Sequence, residues 1–253
     1  MPETILVDDR GPVGRITLNR PDKRNPIGPG TCGELVAAFV SLKANSAVRV
    51  VVLTGAGAVF SAGGDLSAMQ GGQEGPTATL VELFTTMHEL GKPIIAMVNG
   101  HALAGGLGLM VACDLVVASD AAQFGTTEIS VGLWPMMITA EITRSVGRKC
   151  ALEMMLTGRK LDAREAVECG LVNRAVPAAE LEATTMKLAS EIAERSPAAI
   201  RLGLHAFYRS QDMELEPQLR YLQAELGRVL ALEDAAEGIT AFLQKRKPVW
   251  KGK

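Results

Sequence analysis

The chain of 253 residues is poor in aromatic side chains, at 4%, and nearly without net charge, with 26 basic residues against 28 acidic ones. Neither a stacking platform for bases nor a basic footprint for phosphate backbones is present, so no nucleic-acid partner is expected. Cysteine is scarce too. Cys32, Cys113, Cys150 and Cys169 lie far apart with no CxxC pair, which indicates neither a disulfide framework nor a zinc site. His88, His101 and His205 match no triad or metal spacing and read as structural. The start, MPETILVDDR, lacks the basic region and apolar run of a secretory peptide, and a cytoplasmic location is expected. Ile94 to Cys113 carries no Lys, Arg, Asp or Glu and could span a bilayer by length alone. Its Asn99-Gly100-His101 and its Gly105, Gly106 and Gly108 fit a buried strand, a turn and a short helix better, so no membrane partner is expected.

What the chain does have is apolar content, 47% against 21% charged, enough to bury a large core and to exclude disorder over most of its length. Ile5 to Asp8 and Arg15 to Asn19 read as an opening hairpin around GPVG, and Thr31 to Leu42 as a helix. Arg49 to Gly55, Ile94 to Gly100 and Asp114 to Ser119 are continuous β-branched runs of the kind covered on both faces. Helical stretches at Thr77 to Leu90 and Ala104 to Val111 lie between them, giving an α/β core. Beyond Pro135 helical periodicity dominates, with only Leu171 to Val176 extended. A soft boundary near Ser196 separates a core of residues 1–195 from a helical region of residues 196–253 that ends in the basic tail QKRKPVWKGK.

Glycine is concentrated in two strand-to-helix turns, Thr54 to Leu66 (TGAGAVFSAGGDL) and Asn99 to Gly108 (NGHALAGGLG). Neither holds a GxGxxG or GxxxxGK pattern, so nucleotide triphosphate chemistry is not supported. Such turns present unobstructed backbone N–H groups, and two of them aimed at one oxygen form an oxyanion hole.

SAGGD at Ser61 to Asp65, GHALAGGLG, CDLVVAS at Cys113 to Ser119 and AQFGTTEISVGLWP at Ala122 to Pro135 resemble successive blocks of the crotonase (enoyl-CoA hydratase/isomerase) superfamily. NRPDKRNPI and TGRKLDAREAVECGLVNRAVP extend the resemblance over nearly the whole chain. It implies a ββα spiral core and a C-terminal helical region that builds a homotrimer or a dimer of trimers. It also implies acyl-CoA thioester substrates whose enolate is held by two backbone N–H groups, carried over here to Gly64 and Gly105. No separate cofactor is implied, because coenzyme A arrives as part of the substrate. Arg24, Ala62, Asp65 and Leu66 in the first half of the chain are the expected substrate neighbours, with Gly108 and Trp134 beyond them. Phe242 and Lys245 resemble the C-terminal Phe and Lys that contact coenzyme A in the family.

The hydratases of that family pair two glutamates. One corresponds to Glu128, and the other falls on Gly108, which has no side chain. Hydration needs one group to activate water and another to deliver a proton, whereas a shift of the double bond from 3-enoyl to 2-enoyl needs a single base. The expectation is therefore isomerisation with Glu128 as acid and base, its pKa raised in a pocket of Trp134, Met136 and Met137. Hydration is the alternative, and a non-catalytic acyl-CoA binder is a third. Glu141 is a possible second carboxylate, although its helical setting favours solvent or another subunit.

Overall fold

The opening hairpin is present as Ile5–Asp8 (β1) antiparallel to Val13–Leu18 (β2), with Ile5 opposite Leu18, in a computed structural model that describes residues 4–65 and 77–253. Pro29–Ala44 (α1) opens on a proline, which has no N–H to leave unsatisfied there, and buries Leu35, Ala38, Phe39 and Leu42. Val50–Gly55 (β3) is buried at every position, as the sequence requires of a strand covered on both faces. After Leu80–His88 (α2), Ile94–Val98 (β4) is equally buried. Next come Ala102–Leu103 (β5), Gly105–Val111 (α3), Leu115–Ser119 (β6) and Gln123–Gly125 (β7).

The second half holds Met136–Ser145 (α4), Arg148–Thr157 (α5), Leu161–Asp162 (β8), Ala163–Glu168 (α6), Arg174–Val176 (β9) and Ala178–Ala193 (α7). Six strands form one sheet in the order β1-β2-β3-β4-β6-β9, parallel except for β1. Strands β5, β7 and β8 form a second, small sheet. Alternation along β3 sends Val51 and Leu53 to the main core and Val50 and Val52 to the other face, where α7 covers them with Leu181, Ala189 and Ala193.

Three helices complete the described chain: Pro197–Ser210 (α8), Leu215–Leu230 (α9) and Glu233–Leu243 (α10). Ser196 caps α8 through Ala199 N and donates its hydroxyl to Asp234 at 2.6 Å. The buried Asp234 carboxylate also accepts from Lys251 N and Gly252 N, so the last residues are tied down. Trp250 donates its indole N–H to Glu194 O at 2.7 Å and lies against Gly238. Helix α9 has no buried residue. Among the described residues no helix is long and apolar enough to cross a membrane, and Ile94 to Cys113 is a strand, a turn and a short helix.

Candidate active site

Parallel pairing sets the geometry. Because β5 and β7 run side by side, with Leu103 opposite Gly125 and Ala104 N donating to Gly125 O, both chains leave the small sheet at the same end. One continues into α3 at Gly105 and the other into the 3-10 turn Thr127–Val131, which carries Glu128. The loop Ser61–Asp65 joins them, since Ser61 N donates to His101 O and Leu103 N donates to Ser61 O. Gly106 permits this approach: a Cβ there would lie 2.5 Å from the Ser61 Cβ. Ala104 turns the chain into α3 with φ of 49°, a conformation costly for a residue with a Cβ.

On the outer side, Ile27 N donates to Gly63 O and Asp65 N donates to Ile27 O, so the Gly64 amide between them faces the other way. The Gly105 amide is the first of α3 and has no partner within the helix. A Cβ built on Gly105 would lie 3.6 Å from Gly64 N, so the two positions are neighbours. Among the described residues neither amide donates a hydrogen bond. Two free N–H groups on neighbouring residues are the raw material of an oxyanion hole.

Buried polar contacts hold the Gly64 loop. Asn25, with φ of 52°, donates its amide to Ala56 O, Val59 O and Phe60 O, and its own carbonyl accepts from Ser61 Oγ at 2.7 Å. The Arg24 carbonyl accepts from Ala62 N, while the Arg24 side chain is exposed. Arg20 donates to the buried Asp65 carboxylate at 2.8 Å, which places Asp65 as a support of the loop. Leu66 lies outside the described residues.

Glu128 is half-buried, and its Oε2 is buried without a hydrogen-bond partner. Burial pushes its pKa up from the ordinary glutamate value, since desolvation disfavours the charged form. Trp134 is half-buried against the main core, just beyond the hydrogen bond from Leu133 N to Glu128 O. Met136 and Met137 correct the expectation of a closed apolar pocket: both are exposed on the first turn of α4. Met154 and Met155 are buried core residues.

Gly108 is fully enclosed. A Cβ built on it would lie 2.7 Å from the Ile138 Cβ, closer still to Ile138 Cγ2, and 3.5 Å from Phe84 Cζ. Glu141 is a second correction, because it is turned away from solvent and engaged by His88. Its side chain is 12% exposed and reaches His88 Nε2 at 3.4 Å. His88 stacks on Tyr208 at 4.2 Å, and the Tyr208 hydroxyl donates to Asp114 at 2.6 Å. Phe242 and Lys245 are exposed at the end of α10, which packs on α8 and α9. Ile138, Asn25 and Arg20 escaped the sequence reading, because each matters through a partner tens of residues away.

The family described as Enoyl-CoA hydratase/isomerase matches residues 8–253. The human mitochondrial protein named enoyl-CoA hydratase domain-containing protein 3 is 38% identical over 245 residues, covering 94% of this chain and 80% of that one. A crystal structure of an enoyl-CoA hydratase from Mycobacterium smegmatis superposes with a TM-score of 0.91 at 33% identity, covering 98% of this chain and 99% of the other. One from Bacillus anthracis gives 0.88 at 33% identity, covering 99% and 100%.

Proposed function

Since the chain belongs to the enoyl-CoA hydratase/isomerase family, we propose that it moves the double bond of a 3-enoyl-CoA to the 2-position, using Glu128 as its single proton carrier. Glu128 takes a proton from the carbon next to the thioester, and the negative charge spreads to the thioester oxygen. The Gly64 and Gly105 amides hold that oxygen, each contributing about 2.7–4 kcal/mol if it acts like a typical oxyanion donor. Glu128 then returns the same proton two carbons further along the chain, so no other atom is gained or lost. The observation that carries this reading is the Glu128 carboxylate itself, with one oxygen buried and unpartnered, raised toward the range useful for a base.

Hydration of a 2-enoyl-CoA is the second reading, favoured by the names of the similar human and bacterial proteins. Turnover of matched 3-enoyl and 2-enoyl substrates by the wild type and Glu128→Gln decides between them. Isomerisation of the 3-enoyl substrate alone, lost in the variant, is expected. Robust hydration would overturn the proposal, and silence on both would point to a binder.

Coenzyme A enters as part of the substrate, with Lys245 and Arg24 as cationic contacts and Phe242 as a further contact. The active form is a homotrimer or a dimer of trimers, a reading supported by the exposed leucines of α9, Leu215, Leu219, Leu226 and Leu230. Residues 1–195 supply the catalytic core and residues 196–253 the assembly region.

A further inference from the structure

Gly108 stands one turn beyond Gly105 on α3, so a side chain there would share the face that begins at the oxyanion amide. That place is occupied by hydrocarbon. Ile138 is 2% exposed and sits directly on Gly108, with Phe84 behind it. Both groups are locked from the next turn of their own helices. Glu141, three residues after Ile138 on α4, meets His88, four residues after Phe84 on α2, at 3.4 Å. His88 is itself fixed by its stack on Tyr208 and the Tyr208–Asp114 hydrogen bond. A partly buried polar clamp and a buried apolar plug therefore occupy adjacent turns of the same two helices.

We infer that Ile138 is the specificity-determining residue of this site: held over Gly108, its side chain keeps a second proton-transfer group, and the water such a group would hold, away from the substrate. The inference rests on the one-carboxylate reading above and names what enforces it. Ile138 acts by exclusion and takes no proton. A glutamate at position 108 would need the volume that Ile138 fills, so the two positions must change together.

The test compares wild type, Gly108→Glu, Ile138→Ala and the double variant by melting temperature and by turnover of 2-enoyl-CoA and 3-enoyl-CoA. Gly108→Glu alone should melt well below wild type and gain no hydration. Ile138→Ala alone should raise the ratio of hydration to isomerisation. The double variant should melt above Gly108→Glu and hydrate 2-enoyl-CoA at least tenfold faster than wild type. A Gly108→Glu protein as stable as wild type overturns the inference, as does a double variant no more stable and no better at hydration than Gly108→Glu. If the wild type fails to isomerise the 3-enoyl substrate, the one-carboxylate reading falls. The melting cycle and the hydration gain still decide the role of Ile138.

Discussion

At the scale of single residues, the role proposed for Glu128 carries a cost in stability. Its pKa is raised in the folded chain, so the folded state holds a proton that the unfolded state has already released. Stability from this group falls as pH rises from the ordinary glutamate value through the folded one, and at neutral pH the ionised carboxylate is a burden. Glu128→Gln is therefore expected to lose about 10²–10⁴-fold in turnover while its melting temperature at pH 7 to 8 rises. The same shift sets the pH profile: the acid limb of kcat/KM should have its midpoint above the usual 4.5 of a glutamate. A midpoint at or below that value would remove Glu128 as the base. The sequence shows that a carboxylate is missing at Gly108. What replaces it is not legible there, because Ile138 is thirty residues away and its position follows from how α4 packs on α3.

At the scale of elements, long buried strands and amphipathic helices are readable because their periodicity extends over many residues. Strands β3, β4 and β6 fall within the runs expected of them, and α1 ends within two residues of its expected bounds on either side. Strands β5, β7 and β8 have two or three residues each, too few for any period, yet they place Gly105 and Glu128 at one end of a sheet. The close approach of α3 to the Ser61 loop gives a direct test. Gly106→Ala brings a Cβ to 2.5 Å from the Ser61 Cβ, which should cost about 1–3 kcal/mol in unfolding and move the Gly64 and Gly105 amides apart. Denaturant unfolding and turnover, measured together, should both fall. Full activity in a less stable Gly106→Ala protein would show that the Ser61 loop does not set the position of Gly64.

At the scale of the whole molecule, the isolated chain leaves Leu215, Leu219, Leu226 and Leu230 of α9 exposed along one helix, together with Phe242 and Leu243. Such a surface calls for cover. Leu226 is 56% exposed, so Leu226→Glu should change the stability of the single chain by no more than about 0.5 kcal/mol. Its light-scattering mass should nevertheless drop from that of an oligomer to that of one chain. An unchanged mass would place the subunit contact elsewhere.

The two tryptophans have different surroundings. Trp134 follows the turn that carries Glu128, and Trp250 is fastened to Glu194 and Gly238 in the C-terminal region. The protein thus carries two separable optical reporters. With Trp250→Phe the remaining emission comes from beside the turn that carries Glu128, and with Trp134→Phe it comes from the C-terminal region, so a stopped-flow trace of each variant reports on its own part of the chain, without a label.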